Sequence, residues 1–422
     1  MKIAIFGMGY VGFTAACCIA SEGHEVIGVD VNDSKIADVN NGIAPFEEPG
    51  LQELMTPSTQ ARRLLATKSV PDALANADMA IVCVGTPSGV DGAHDMRYIA
   101  DVSRQIGTAL AREKPLAPVT VVYRSTMRPG TMRKLIIPIF VATLGADWAA
   151  HVTLVYNPEF LREAQAISDY FDPPKVVIGT IDGKPNEVLQ ALNVNINAEV
   201  FVTPFEEAEL TKFVDNSWHA VKVAFANEFG RVCQKMGISA RQVHKIFVAD
   251  TKLNISPYYT RPGGAFGGAC LPKDVRAFQY IANDIGANTH LVDSLLRSNE
   301  AHKNHQFDHI TRHAEAGSKI LMAGLAFKAG TDDLRESPNI DLVRKLLEAG
   351  YDVRVFDPCL SPDKLRGHNL GYLYSTLPQI DALLIDAPAA EAGDWDLVVV
   401  SNATGQALNL SKFKTLETHC IA

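Results

Sequence analysis

The sequence predicts an α/β protein in which two doubly wound parallel sheets are joined by a long central helix. Three observations predict it. Strand-length apolar runs alternate with helix-length segments from Lys2 to Tyr156, and the same rhythm resumes beyond residue 300. Between the two series, Thr203-Pro-Phe-Glu206 reads as a capped helix start with Pro at the first helical position, and no breaker follows before Gly230 and Gly237. About 30 residues of helix fit there. Finally, 422 residues exceed what one ordinary core can hold. The expected division is 1–202, 203–300 and 301–422.

Composition narrows the function. With 47% hydrophobic and 21% charged residues the chain is globular, and a net charge of −9 argues against nucleic-acid or membrane-surface partners. Seven cysteines, at 17, 18, 83, 233, 270, 359 and 420, lack metal-ligand spacing and read as reduced thiols of a cytoplasmic protein. The apolar N-terminal run is interrupted by Gly7, Gly9 and Gly12, so it reads as strand, turn and helix rather than a secretion signal. No apolar run reaches transmembrane length.

Taken in order, Lys2–Phe6 is a buried strand, Gly7-Met-Gly-Tyr-Val-Gly12 a turn, and a helix follows to about Glu22. The next strand, Glu25–Val29, ends at Asp30. A glycine turn between strand and helix, with an acid closing the second strand, is the dinucleotide fingerprint of a Rossmann domain. Gly7 makes the turn, Gly9 admits a pyrophosphate and Gly12 lets helix and strand approach, while the helix N-terminus faces the phosphates. Asp30 would bind a ribose and repel a 2′-phosphate, which favours NAD. Lys35 serves the same ribose or is a solvated lysine. Two further strands end in Thr86 and Thr126, which either cap turns or line a cofactor at the sheet's carboxyl edge.

Strand 152–156 delivers Asn157-Pro-Glu159-Phe-Leu-Arg162, with Glu159 either a helix cap or an acid/base group. On the long helix, Lys212, Asn216 and His219 share one face. Phe213, Val214, Trp218, Val221, Val223 and Phe225 are expected to bury their surroundings, so the polar stripe reads as a site. Tyr258, Tyr259 and Arg261 suit phosphate contact or packing. In Gly263–Arg276, four glycines crowd around Cys270, beside Lys273 and Asp274. Glycine density of this kind lets backbone approach a ligand, and neighbouring cations favour a thiolate, so Cys270 is the expected nucleophile. Beyond residue 300 come strands at 318–323, 351–356, 381–386 and 396–400, with Asp357 closing one of them as Asp30 does. This half lacks the glycine fingerprint and suits another nucleotide.

Together these stretches resemble the nucleotide-sugar dehydrogenase family (UDP-glucose and GDP-mannose dehydrogenases) over nearly the whole chain. The matching motifs are Gly7-x-Gly-Tyr-Val-Gly12, Val84-Gly-Thr-Pro87, Asn157–Arg162, Phe266-Gly-Gly-x-Cys270-x-Pro-Lys-Asp274 and Phe327-Lys…Asp333-Leu-Arg-Glu-Ser-Pro338. Asn216–Lys222 and Lys252–Gly263 resemble the GDP-mannose branch. The resemblance implies two successive NAD-dependent oxidations of a sugar C6 hydroxyl to the uronic acid, through a thiohemiacetal and a thioester on Cys270. It assigns oxyanion stabilisation to Lys212 and Asn216, water orientation to Asp274 with Thr126, and acid/base work to Glu159. Cofactor contacts fall on Gly7, Gly9, Tyr10, Val11, Gly12, Asp30, Lys35, Thr86, Thr126 and Arg335. Substrate contacts fall on Glu159, Phe160, Leu161, Lys212, Asn216 and His219, then on Tyr258, Tyr259, Arg261, Phe266, Gly267 and Lys328. A homodimer is implied, with Arg261 crossing to the partner, and no metal.

Two departures from the family pattern bear on substrate identity: Ala269 stands where serine is usual, and the chain stops at Ala422, earlier than many relatives. UDP-glucose remains an alternative substrate. A two-electron hydroxyacid dehydrogenase and a non-catalytic nucleotide-sugar sensor are the other readings the residues leave open.

Overall fold

The computed structural model describes the chain except residues 47, 88–93, 114, 116, 163, 253, 257–262, 269–270, 332–333, 361–367 and 419–422. Tyr258, Tyr259, Arg261 and Cys270 therefore lie outside the described residues. The chain forms two compact units, Met1–His219 and Ala220–Ala422.

In the first unit the strands are β1 (Lys2–Phe6), β2 (Glu25–Val29), β3 (Leu64–Thr67), β4 (Met79–Val82), β5 (Val119–Tyr123), β6 (Val152–Tyr156), β7 (Val176–Thr180) and β8 (Val200–Pro204). They form one sheet in the order β3-β2-β1-β4-β5-β6-β7-β8. Every pairing is parallel except the short β6–β7 contact, Tyr156 opposite Gly179. A parallel sheet is covered on both faces, and β1 carries a side chain to each in turn. Ala4 and Phe6 join one core, Ile3 and Ile5 the other, and all four are buried. The covering helices include α1 (Tyr10–Ser21), α2 (Asp33–Asn40), α3 (Leu51–Gln60), α4 (Val70–Leu74), α5 (Arg97–Glu113), α6 (Ile137–Leu144), α7 (Ala166–Phe171) and α8 (Glu187–Leu192).

The long helix α9 spans Phe205–Met236 and ends at Gly237, whose φ of +68° suits glycine. Its start is set by close packing on β7. Phe205 and Ala208 are fully buried, and a Cβ on Gly179 would come within 2.7 Å of Ala208. Two sequence expectations need correction here. Thr203 and Pro204 do not open the helix: they end β8, paired through Thr180–Pro204. Proline is tolerated there because β8 is an edge strand. Nor are Val214, Trp218 and Val221 buried within the chain, at 54%, 48% and 39% exposed, while Phe213 and Phe225 are half-buried and the Val223 side chain lies outside the described residues. Apolar spacing marks a face that wants cover but does not say which chain supplies it.

The second unit contains α10 (Ala240–Val248), α11 (Leu271–Asp284), α12 (His290–Thr311) and α13 (Pro338–Glu348). Its sheet comprises β9 (Lys319–Ala323), β10 (Asp352–Phe356), β11 (Leu397–Val400) and β12 (Thr415–Glu417), all parallel, in the order β10-β9-β11-β12. The buried Glu228 of α9 accepts from the Leu291 and Val292 amides and so caps α12. The strand expected over 381–386 is absent: Ile380–Leu383 is a short helix, and only Leu384 bridges Val355. Four apolar residues fit a helical turn as well as a strand, and length alone cannot separate them.

Candidate active site

The dinucleotide turn follows directly from its glycines. Gly7 has φ +91°, and a Cβ there would sit 3.0 Å from the Val84 backbone. A Cβ on Gly12 would lie 1.9 Å from the Gly7 carbonyl oxygen, so α1 meets the turn at a distance only hydrogen permits. Gly9 differs: it is the N-cap of α1, extended, with open space where its Cβ would be. No side chain caps α1 and its first turn holds no acid. The amides of Tyr10, Val11 and Gly12 thus open a helix N-terminus suited to an anion.

At the carboxyl end of β2, Asp30 Oδ2 accepts from the Met8 amide at 2.9 Å and Oδ1 from the Asn32 amide at 2.9 Å. A carboxylate offers about four acceptor positions, so roughly two remain for ribose hydroxyls. Lys35 lies in the first turn of α2, half-buried. Thr86 and Thr126 follow the adjacent strands β4 and β5, both half-buried, and the Ser125 hydroxyl ties their loops by donating to the Val84 carbonyl at 2.6 Å. An uncapped helix end, an open glycine cradle and an acid with spare lone pairs fit NAD. These residues would hold its pyrophosphate and adenosine ribose, and the Asp30 charge opposes a 2′-phosphate.

Beyond β6 the chain is pinned by Asn157, which is buried and donates its side-chain amide to the Val177 carbonyl at 2.8 Å. Glu159 Oε2 accepts from the Leu161 amide at 2.8 Å. The buried Lys212 ammonium, from α9, donates to the Glu159 carbonyl at 2.6 Å and to Oε1 at 3.1 Å. An ammonium has three N–H groups, so one remains for a developing oxyanion. The Phe160 ring lies 5.3 Å from Lys212 Nζ and 4.9 Å from Lys175 Nζ, held by two cations. Leu161 packs on the core beneath. Asn216 and His219, farther along α9, are exposed.

One carboxylate that sequence reasoning missed supports this turn of α9. Glu209 is fully buried and accepts from the Gly130 and Met132 amides at 2.6 and 2.8 Å, fixing the loop that follows Thr126. Burial pushes its carboxyl up, against those two amides.

In the second unit the glycine loop meets the loop after β9. A Cβ on Gly267 would lie 2.3 Å from the Glu336 carbonyl oxygen, and one on Gly268 (φ +84°) 3.1 Å from the Phe327 ring. Phe266 is fixed by Asn299, which accepts from its amide at 2.9 Å and donates to its carbonyl at 2.8 Å. Arg276, in the second turn of α11, forms a bidentate pair with Glu336 at 2.7 and 3.0 Å. Asp274 is exposed in the first turn of α11, paired with Lys273 at 3.0 Å. Lys328 and Arg335 are exposed. Glu209 and Asn299 left no sequence signal, whereas Arg276 closes the Gly263–Arg276 stretch and Glu336 sits inside the Leu-Arg-Glu-Ser-Pro motif. Burial holds three other cysteines as thiols, with Cys18 and Cys83 pushed up to about 12 and Cys17 higher still.

Three models of the UDP-glucose/GDP-mannose dehydrogenase family match in succession: the NAD binding domain over 1–197, the central domain over 206–301 and the UDP binding domain over 321–410. GDP-mannose 6-dehydrogenase of Pseudomonas aeruginosa is 42% identical over 402 residues, covering 95% of this chain and 91% of that one. Its counterpart in Azotobacter vinelandii is 41% identical over 415 residues, 98% and 94% of the two chains. A UDP-glucose 6-dehydrogenase of Bacillus subtilis is 32% identical over 412 residues, covering 96% and 87%. The crystal structure of a ternary complex of the Pseudomonas aeruginosa GDP-mannose dehydrogenase matches with a TM-score of 0.91 at 40% identity, over 99% of this chain and 96% of that one.

Proposed function

We propose that this chain, which belongs to the UDP-glucose/GDP-mannose dehydrogenase family, oxidises the C6 hydroxyl of GDP-mannose to the carboxylate of GDP-mannuronate. It is an NAD-dependent nucleotide-sugar dehydrogenase. The observation that carries the choice of sugar is identity: 42% to a GDP-mannose enzyme against 32% to a UDP-glucose enzyme, each over nearly the full chain.

NAD, when bound, accepts the hydride of each oxidation. Lys212 holds Glu159 in place and directs its third N–H at the C6 oxygen, where negative charge develops. Asn216, one turn on, adds a neutral donor. Glu159 takes the proton of the C6 hydroxyl, directly or through water. The Cys270 thiolate adds to the aldehyde to give a thiohemiacetal, whose oxidation leaves a thioester. Water oriented by Asp274 and Thr126 hydrolyses that thioester and restores the thiolate. Val11, His219, Tyr258, Tyr259, Arg261, Phe266, Gly267, Lys328 and Arg335 complete the cofactor and substrate contacts.

The enzyme acts as a cytoplasmic homodimer in this reading. Leu210, Val214, Trp218 and Val221 form an exposed apolar stripe at helical spacing on α9, which a second copy would cover. No helix among the described residues is long and apolar enough to cross a membrane.

The test is the NADH formed per sugar consumed, with NAD in excess and GDP-mannose or UDP-glucose limiting. We expect about two NADH per GDP-mannose, since an alcohol-to-acid path needs two hydride transfers. Cys270→Ser should stall the second oxidation and cut turnover at least a hundredfold. Two per UDP-glucose with GDP-mannose inert would move the substrate assignment; one per sugar would end the thioester route.

A further inference from the structure

Glu48 stands just before α3, outside every motif above, yet its carboxylate joins two of them. Its Oε2 accepts from the Tyr10 hydroxyl at 2.7 Å and from the Ala164 amide at 2.9 Å. Oε1 accepts from the Ala166 amide at 2.9 Å. The group is only 8% exposed, so these three bonds are its solvation. Burial pushes the carboxyl up, but the Tyr10 hydroxyl and the two amides outweigh it and hold the acid below its ordinary range.

The two ends of this clamp are not ordinary surface. Tyr10 is the first residue of α1, immediately after Gly9, where the pyrophosphate turn meets the helix. Its ring is braced by Phe46 at 5.3 Å, so the tyrosine is held by both ring and hydroxyl. Ala164, two residues beyond Arg162, has φ +64°. That left-handed conformation strains a residue with a Cβ, and the bond from its amide to Glu48 holds it there. The loop carrying Glu159, Phe160 and Leu161 is thereby fixed relative to the first turn of the dinucleotide helix, across more than a hundred residues of sequence.

We propose that Glu48 is a positioning residue that couples the two ligands: through Tyr10 and Ala164 it makes the geometry of the Glu159–Arg162 loop depend on dinucleotide occupancy, and the reverse. Its sugar-side half rests on the function proposed above. Linkage makes the coupling reciprocal, so it can be read from either ligand.

The experiment uses the full-length enzyme and NADH, whose fluorescence reports binding and which cannot accept a hydride, titrated with and without saturating GDP-mannose or UDP-glucose. For the wild type we expect the nucleotide sugar to tighten NADH by about tenfold. Glu48→Gln replaces one acceptor oxygen by an amide that faces a donor, and Tyr10→Phe removes one donor while keeping the ring. Both should reduce that ratio to within about twofold of unity, and Glu48→Asp should restore part of it. If the variants melt earlier but keep the wild-type ratio, Glu48 is a brace and the coupling is refuted. A wild type that binds both ligands independently refutes it too, with the enzymatic reading intact. A wild type that binds NADH but neither sugar nucleotide removes the enzymatic reading, and the coupling with it.

Discussion

Alanine at Gly9 and alanine at Gly12 should fail in opposite ways, though both residues belong to one fingerprint. At Gly12 the new Cβ would lie 1.9 Å from the Gly7 oxygen and 3.0 Å from Cys83 Cβ. Ordinary contact requires roughly 1.5 Å more, so α1 must lift off the turn. Nine of its twelve residues are buried, and they cannot follow without loosening the core beneath. Overpacking of this order costs about 3 kcal/mol, or about 6–12 °C in the melting of a unit of this size. At Gly9 the added methyl meets nothing within 4 Å, and φ −79°, ψ −169° is open to alanine. Its melting should stay within about 2 °C of wild type. The methyl instead occupies the space left for a pyrophosphate, and NAD affinity should fall about a hundredfold, about 2.7 kcal/mol. The assays are differential scanning calorimetry and NAD titration by intrinsic fluorescence. A Gly9→Ala variant that binds NAD as tightly as wild type would show that the pyrophosphate does not cross this turn. A Gly12→Ala variant with wild-type melting would refute the packing argument.

Lys212→Met leaves the Glu159 carboxylate, largely buried, without its cation. We expect a loss of about 3 kcal/mol in urea unfolding and of about 100-fold or more in kcat; a kcat within tenfold of wild type would exclude Lys212 from oxyanion stabilisation. The Arg162 guanidinium beside Asp169, and the Arg162 amide, hold that carboxyl below the usual range against burial. A depressed folded value contributes stability above the unfolded carboxylate pKa near ~3.9 and loses it as pH falls through the folded one. Urea midpoints should therefore drop in acid below about pH 4, in a step that Asp169→Asn lacks. Asp30→Asn should weaken NAD about tenfold with unchanged melting, whereas Asp357→Asn should cost about 2 kcal/mol of stability and leave NAD affinity alone; the two measurements on each variant decide.

The parts of this molecule that were legible in its sequence are those whose physics is local. A glycine forced into positive φ at position 7, a strand ending in Asp30 and a breaker-free run to Gly237 each declare themselves within a few residues. Sequence reading fails where a residue's meaning is set by a distant partner. Glu48 looks like a surface acid until Ala164 and Ala166 arrive from beyond β6, 116 and 118 residues away. Glu209 looks like one more solvated acid after Glu206 and Glu207 until the Gly130 loop closes over it. The mid-helix apolar residues of α9 fail for a related reason: periodicity identifies an apolar face, while the chain that covers it need not be the same chain.

The two sheets carry the same opening device, and the difference between them states what each can do. In both, a positive-φ glycine after the first strand donates its amide to the end of the second strand: Gly7 to Val29 and Gly324 to Phe356, each at 2.8 Å. In both, an acid closes that second strand and accepts amides from the glycine turn. Asp30 accepts two, from Met8 and Asn32. Asp357 accepts three, from Leu325, Ala326 and Cys359, and is buried to 5% exposure. The space over the turns differs in the same sense. Above Gly9, two residues past Gly7, it is open, while the residue two past Gly324 is Ala326, buried to 1% exposure. Ser401 donates to the Gly324 carbonyl and Asn402 to the Ala326 carbonyl, so the second turn is closed by its own chain. Open space and spare lone pairs make the first turn a dinucleotide cradle. The second has kept the backbone geometry and turned its acid into a fastener, so a nucleotide held by the second unit must be read by side chains outside that turn.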